Sequence, residues 1–178
     1  MESESAHHQP KAPLAIRMRT TILHEDVARI AALHREIYSR EYGFDATFET
    51  YVAEPLAEFA DRRAANERIW IAEHDGEIVG CVAIVAASEN TAQLRWFLVA
   101  PSARGHGLGA RLLREAVEFS RQRGYSEIIL WTVSALVTAA HLYKKAGFTL
   151  AEQRPGRCWG VDVVEERYEM ALSAPAGA

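Results

Sequence analysis

Three glycines in the segment Arg104-Gly105-His106-Gly107-Leu108-Gly109 lie two residues apart, between an apolar β-prone run and an amphipathic helical pattern. Glycine adopts backbone conformations that other residues avoid, and it leaves the neighbouring amide groups uncovered. Together with the free amides and positive dipole of the helix that follows, such a loop favours binding of a phosphate or pyrophosphate. Its spacing differs from the Walker A and dinucleotide-binding loops. A tight strand-to-helix turn without a ligand is the alternative interpretation.

The hydrophobic spacing along the rest of the chain predicts an α/β fold, a mixed sheet with helices on its faces. The Asp75-Gly76 pair between two apolar runs indicates a hairpin, because glycine accepts the positive φ of a tight turn. The run 127–133 is almost wholly apolar, which predicts a strand buried on both faces. The predicted elements, in order, are a strand at 14–18, a helix at 25–42, a helix from 47 with a kink at Pro55, strands at 69–72, 78–85 and 94–99, a helix at 107–124, a strand at 127–133, a short helix at 139–146, and strands at 148–151 and 166–172.

Length and composition indicate one globular domain at 14–172 between flexible tails at 1–13 and 173–178. The start is polar and acidic, unlike a signal peptide, and no window holds the roughly 20 apolar residues of a membrane helix. We therefore expect a soluble, cytoplasmic protein with no membrane partner. The net charge of −4 and the lack of a basic run argue against nucleic acid as a partner.

The two cysteines, Cys81 and Cys158, are far apart in sequence and belong to no Cys-x-x-Cys motif. This spacing does not indicate a metal or redox site. Two unpaired thiols in a reducing compartment are the favoured interpretation, and one disulfide is the alternative.

A second motif, Leu142-Tyr143-Lys144-Lys145-Ala146-Gly147-Phe148, follows on the next predicted helix after the glycine loop. The two motifs, with Pro101 after the preceding strand, resemble those of the GNAT superfamily of N-acetyltransferases, and the resemblance extends from Leu14 to Leu172. More narrowly, the chain is similar to the acetyltransferase domain that is fused to MarR-type regulators. We expect a free-standing version of that catalytic part, because the chain leaves no room for the DNA-binding half.

The resemblance implies acetyl-CoA as co-substrate, an amine as acceptor and no metal. The pantetheine arm would lie in a gap between the strands at 94–99 and 127–133, where it would pair with the backbone of Leu98 and Val99. The pyrophosphate would bind the loop amides, with a charge added by the side chain of Arg104; the alternative is an exposed surface arginine. The implied loop residues are Arg104, Gly105, His106, Gly107, Leu108 and Gly109.

Tyr143 matches the tyrosine that in many relatives protonates the departing thiolate, a role that suits a phenol still protonated at pH 7. The alternative is a core tyrosine. His141 is expected to be exposed. The sequence departs from the family at Gln93, where many relatives have a glutamate, and at Leu136, where many have an asparagine that contacts the cofactor arm. Because glutamine cannot accept a proton, the general base must be another group.

The amine pocket is expected between the first two helices and the loop before the last strand. Its polar and aromatic candidates are Tyr38, Tyr42, Phe44, Glu49, Trp159 and Asp162. The candidate bases are Glu41, Glu49 and Asp162. Surface carboxylates and packed aromatic rings are the alternative for each of these residues. Trp96 and Trp131 are expected in the core.

We therefore expect an acetyl-CoA-dependent N-acetyltransferase in which a neutral amine attacks the thioester directly. Cys81 as an acyl-carrying nucleophile is the weaker mechanism, because no motif places a histidine beside it. Two alternatives belong to other classes of protein: an acyl-CoA sensor with little catalysis, and an interaction protein that dimerises through an edge strand. A homodimer is in any case a habit of the family.

Overall fold

The computed structural model describes residues 14–172, so the two predicted tails lie outside the described residues. Seven strands form one mixed sheet in the order β1-β2-β3-β4-β5-β7-β6, and α-helices cover both of its faces. This confirms the predicted α/β fold. The elements are β1 (Arg17–Arg19), α1 (His24–Tyr42), α2 (Thr47–Arg62), β2 (Arg68–His74), β3 (Glu77–Ala86), β4 (Thr91–Val99), a 3-10 turn (Pro101–Ala103), α3 (Leu108–Gln122), β5 (Glu127–Val133), α4 (Val137–Ala146), β6 (Thr149–Cys158) and β7 (Val161–Ala171).

The one parallel pair among these strands, β4 with β5, determines where a site can form. The two strands are paired only at their first residues, Thr91–Gln93 with Glu127–Ile129. β4 nevertheless continues to Val99 and β5 to Val133. The strands therefore separate beyond Gln93, and their backbone groups on either side of the resulting gap do not hydrogen-bond to each other.

Each face of the sheet has its own hydrophobic core. Leu112 and Ala116 of α3 pack with Ile128 on one face. Ile30 of α1 and Leu56 of α2 pack on the other. Burial of side chains of this size stabilises the fold by about 1.5–3 kcal/mol each. Helices α1 and α2 therefore form a fixed wall above the gap between β4 and β5.

Some predicted boundaries were wrong. β1 comprises only Arg17–Arg19. The predicted helix from 47 is α2, which continues through Pro55 to Arg62, and the kink at Pro55 stays a prediction. β6 and β7 form a much longer hairpin than predicted, because β6 is exposed along almost its whole length and so has no hydrophobic pattern to detect. β5 is not buried on both faces: Ile128 and Leu130 are buried, whereas Ile129 and Trp131 are half-buried. Within the described chain, no helix has the length and apolarity needed to cross a membrane.

Candidate active site

The three loop glycines are needed for two different reasons. Gly105 and Gly107 have φ values of 82° and 76°, a region that other L-residues avoid at a cost of about 1–2 kcal/mol. Gly109 lies in the first turn of α3, where a Cβ atom would be 3.1 Å from Cδ1 of Leu142. Gly109 therefore permits the close approach of α3 to α4, and the other two glycines shape the loop.

The loop presents free backbone donors. Among residues 14–172, no group accepts a hydrogen bond from the amides of residues 105–110, and the first amide bonded back to the loop is that of Arg111, 3.0 Å from the carbonyl oxygen of Gly107. Because these amides lie at the positive end of the α3 dipole, they form a site for an anion. The loop fits a pyrophosphate.

Arg104 connects this loop to two other elements. Its Nη1 atom is 2.9 Å from Oε1 of Glu41 at the end of α1, and its Nε–H donates to the carbonyl oxygen of Val99 at 3.1 Å. The side chain is thus held beside the loop by α1 and β4 rather than extended into solvent.

β4 contains a bulge where it leaves β5. Cys81 pairs with Leu98 and Ala83 with Arg95, so that Trp96 and Phe97 together lie opposite one residue of β3. Trp96 has φ 49°, an unfavourable value for a bulky side chain. Conformations of this kind are retained where the surrounding structure fixes them, and they cluster at functional sites.

Cys81 lies under this bulge as a buried thiol, which donates to the carbonyl oxygen of Trp96 at 3.0 Å. Burial raises the pKa of the Cys81 thiol to about 12. Since the thiolate is the nucleophilic form, this environment is unsuited to an acyl-carrying cysteine.

A cavity of about 310 Å³ lies between β4, the glycine loop and α4, and we call it the cofactor cavity. Seven of the predicted cofactor residues line it; His106 does not. The seven are Leu98, Val99, Arg104, Gly105, Gly107, Leu108 and Gly109.

A second cavity, of about 110 Å³, lies on the α1–α2 side of the sheet, and we call it the acceptor cavity. Tyr38, Phe97 and Leu136 line both cavities, which therefore adjoin where β4 and β5 separate. A group bound in one cavity can thus reach a group bound in the other.

Tyr143 lines the acceptor cavity from α4. Its ring is buried against Phe97, Phe148 and Tyr168, with ring centroids 5.8–5.9 Å away. Burial first, then the nearby phenols of Tyr38 and Tyr168, raise the pKa of Tyr143 above its usual value. Among the described residues, every side-chain nitrogen or oxygen atom that is fully buried has a hydrogen-bond partner. The Tyr143 hydroxyl has no partner there, so it is not fully buried and is open to the cavity that Tyr143 lines. It is a protonated donor.

His34 also lines the acceptor cavity, although it was not among the predicted site residues. Its Nδ1 atom is 2.8 Å from the carbonyl oxygen of Ile30, so Nδ1 carries the proton and Nε2 has the free electron pair. Burial lowers the pKa of His34 to about 4. Nε2 has no partner within residues 14–172, and by the same argument it is open to the cavity. The available signal was a histidine on the apolar face of a predicted helix.

Two charged side chains line the acceptor cavity, and both were missed. Glu165 of β7 and Arg95 of β4 form neither an ion pair nor a side-chain hydrogen bond within the part of the chain that the structure describes. The three predicted bases lie outside this cavity, because each is held in an ion pair elsewhere: Glu41 with Arg104 (2.9 Å), Glu49 with Arg35 (3.2 Å) and Asp162 with Arg157 (3.0 Å).

The predicted aromatic residues divide between the two cavities. Phe44 and Trp159 line the acceptor cavity, whereas Tyr42 lines the cofactor cavity. The prediction of a core position is confirmed for Trp96, which is buried against Phe59 although it also lines the acceptor cavity. That for Trp131 was wrong, because Trp131 is half-buried in the wall of the acceptor cavity. The acceptor-cavity residues that were missed also include Phe48 and Tyr51.

His141 lines neither cavity, and the resemblance implied no metal. His141 is exposed, as predicted. The described residues contain no group of three or more histidine, cysteine and carboxylate side chains placed to hold a metal ion.

Comparison with known proteins gives one consistent family. Residues 30–148 match the Acetyltransferase (GNAT) family. An uncharacterized N-acetyltransferase of Schizosaccharomyces pombe is 31% identical over 143 residues, which cover 79% of this chain and 86% of that protein. An uncharacterized N-acetyltransferase of Escherichia coli is 30% identical over 142 residues, which cover 77% of this chain and 84% of that protein.

Solved structures agree with this at the level of the fold. An acetyltransferase of Salmonella typhimurium, solved with its cofactor acetyl-CoA, has a TM-score of 0.72 and 18% identity, and the match covers 92% of this chain and 97% of that chain. The family match, the relatives and the two adjoining cavities lead to the same conclusion. The chain belongs to the Acetyltransferase (GNAT) family and is an acetyl-CoA-dependent N-acetyltransferase.

Proposed function

We propose that this enzyme transfers the acetyl group directly to a neutral amine at the point where the two cavities adjoin, with Tyr143 as the general acid. The observation that carries the proposal is the shared lining of the cavities by Tyr38, Phe97 and Leu136. No covalent acyl-enzyme is needed when the donor and acceptor sites adjoin.

The residues of the cofactor cavity have a binding role in this proposal. The amides of residues 105–110 hold the pyrophosphate, and Arg104 adds positive charge beside them. The backbone of Leu98 and Val99, in the gap beyond the β4–β5 pairing, is available to the pantetheine arm. Leu136 contributes apolar surface at the position where many relatives have an asparagine.

The residues of the acceptor cavity have the chemical role. The amine nitrogen attacks the thioester carbon, so that a C–N bond forms and the C–S bond breaks as the tetrahedral intermediate collapses. Tyr143 donates its proton to the departing sulfur, which leaves as the CoA thiol, and the proton that the amine nitrogen loses then returns to the Tyr143 phenolate. His34 accepts a hydrogen bond from the incoming amine at Nε2, because its neutral state leaves that electron pair free. Gln93, which also lines the cavity, cannot take this proton.

The test is the release of free thiol from acetyl-CoA with a panel of primary amines. We expect Tyr143→Phe to lower kcat by at least about 100-fold, the lower end of what general-acid catalysis contributes, while the Kd for CoA stays the same. Tyr125→Phe is the matched control, because its buried hydroxyl donates to the carbonyl oxygen of Asn66 and lines neither cavity. Unchanged kcat in Tyr143→Phe, with a loss in Tyr38→Phe, would transfer the role of acid to Tyr38.

The location of the protein, its similarity to a narrower group and its oligomeric state stay predictions. The acyl-CoA sensor is not favoured, because the relatives are N-acetyltransferases. The cytoplasmic location and the similarity to the domain of MarR-type regulators are proposals that rest on the sequence. A homodimer is supported by the outer position of β6, whose free edge is able to pair with another strand.

A further inference from the structure

The turn between β6 and β7 has an unusual residue at its tip. Trp159 and Gly160 have φ values of 51° and 80°, and Cys158 pairs with Val161 across them. A two-residue hairpin turn with both φ values positive favours Asn-Gly or Asp-Gly, and it disfavours a bulky side chain at the first position. The preference of the turn for particular residue types therefore does not explain the tryptophan.

The β2–β3 hairpin shows which residue types occupy a turn of the same backbone conformation where the turn lines neither cavity. Its two turn residues, Asp75 and Gly76, have nearly the same φ values, 50° and 81°. Here the residue types are those that the turn favours. The contrast indicates that the side chain of Trp159 is retained for its contacts.

Trp159 completes an aromatic wall that we define as Phe44, Phe48, Tyr51 and Trp159. Its ring centroid lies 4.9–5.1 Å from those of the other three. Its carbonyl oxygen accepts the amide N–H of Asp45 at 2.9 Å, which holds the hairpin tip against the start of α2. All four rings line the acceptor cavity, and none of them lines the cofactor cavity.

The position of this wall separates two parts of an acceptor. The reacting nitrogen must reach Tyr38, Phe97 and Leu136, where the cavities adjoin. The remaining part of the acceptor then faces the aromatic wall. Because ring faces carry negative potential, they disfavour an anion and accept an apolar or cationic group.

The charges of the cavity decide between these two kinds of group. Among the described residues that line it, only Glu165 and Arg95 carry charge at neutral pH, since burial keeps His34 neutral, and their formal charges sum to zero. A second cation, as in a polyamine, would need further carboxylates. The volume of about 110 Å³ is below the roughly 150 Å³ of a cavity that binds benzene, so the cavity has room for no more than one ring, part of which would extend to the rim. Half-exposed Tyr51 forms part of the rim.

We propose that the acceptor is a primary amine on a short, flat, uncharged apolar body, such as an arylalkylamine with one ring, and that Trp159 determines this specificity. This inference rests on the proposed function, because it needs the amine to react where the cavities adjoin. The aromatic wall holds the body, and the nitrogen extends toward His34 and Tyr143.

The experiment measures thiol release from acetyl-CoA with phenethylamine, ethylamine, phenylalanine and spermidine. The enzymes compared are the wild type, Trp159→Asn and the control Asp75→Asn. For the wild type we expect kcat/KM on phenethylamine to exceed that on each of the other amines by at least about tenfold, the low end of what burial of an apolar group gives. Trp159→Asn should lower kcat/KM on phenethylamine at least about tenfold more than it lowers kcat/KM on ethylamine.

The choice of asparagine keeps the test independent of folding. Asparagine suits the turn better than tryptophan, which offsets part of the packing that is lost with the ring, and the ratio of kcat/KM between two amines for one variant does not depend on how much of that variant is folded. Asp75→Asn makes a similar change in the other hairpin and should leave all four kinetic values unchanged. An unchanged ratio between phenethylamine and ethylamine in Trp159→Asn would overturn the inference.

The failures of the two proposals are distinguishable. Faster turnover of spermidine, phenylalanine or ethylamine than of phenethylamine overturns the apolar acceptor and leaves the enzyme's reaction intact. No thiol release with any amine overturns the proposed reaction and the acceptor class together.

Discussion

The two adjoining cavities are built in different ways. The cofactor cavity takes its proposed contacts to the cofactor from backbone groups of one contiguous segment, residues 104–109, and of the free edge of β4, and side chains of α1 and α4 complete its lining. The acceptor cavity depends on side chains from α1, α2, β4, β5, α4, β7 and the β6–β7 turn. A site made of backbone groups can be the same in every member of a family, because every member binds the same acetyl donor. A side-chain site can change its acceptor without disturbing the donor, which is how one fold serves many acceptors.

The largest effect that tests this contrast should come from the buried histidine of the acceptor cavity. The folded pKa of His34 is about 4, below its unfolded value of 6.5, so the unfolded state binds more protons between these values. Stability contributed by neutral His34 is therefore present above pH 6.5 and is lost as the pH falls toward 4. The expected loss is about 3 kcal/mol in the free energy of unfolding.

Urea unfolding at pH 7 and pH 4.5 measures most of this loss for the wild type and His34→Gln. The variant cannot titrate at this position and should show a smaller pH dependence. The exposed His141→Gln is the control and should unfold like the wild type at both values. Equal pH dependence in His34→Gln and wild type would show that His34 is not a buried neutral residue.

The next effect should be specific to the cofactor cavity. Gly107→Val places a branched side chain at φ 76° beside the free amides, and we expect the Kd for CoA to rise by at least about tenfold, or about 1.4 kcal/mol. Gly124→Val is the control, because Gly124 has φ 80° and lines neither cavity. Both variants should lose about 1–2 kcal/mol of stability, and calorimetric titration should find weaker binding only in Gly107→Val.

The smallest effect should come from the carboxylate of the acceptor cavity. Glu165→Gln removes attraction for the cationic form of the amine at a half-buried site, so we expect KM for the amine to rise by about threefold, or about 0.6 kcal/mol. The KM for acetyl-CoA should not change, and steady-state kinetics with each substrate varied will show this. Asp162→Asn removes a carboxylate that lines neither cavity and should leave both KM values as they are. A larger change for acetyl-CoA than for the amine in Glu165→Gln would contradict the division between the cavities.

The sequence predicted the two cavities unequally. All but one of the predicted cofactor residues line the cofactor cavity. They could be predicted because the conformation of a contiguous glycine loop depends on residues that are neighbours in the sequence. Of the six predicted acceptor residues, Tyr38, Phe44 and Trp159 line the acceptor cavity, whereas Tyr42, Glu49 and Asp162 do not. His34 and Glu165 were missed because a lone histidine or glutamate has no local pattern that distinguishes it from a packing or surface residue.

Elements with local physical causes could be predicted from the sequence: the helices from their apolar spacing, the β2–β3 turn from Asp75-Gly76 and the anion-binding loop from its glycines. Which side chains share the acceptor cavity depends instead on packing between distant parts of the chain. His34, Tyr143 and Glu165 are far apart in the chain, and packing of α1, α4 and β7 around the β4–β5 gap brings them together. The positive φ values of Trp96 and Trp159 were equally invisible in the sequence, because non-local contacts, rather than the preference of the residue, maintain them.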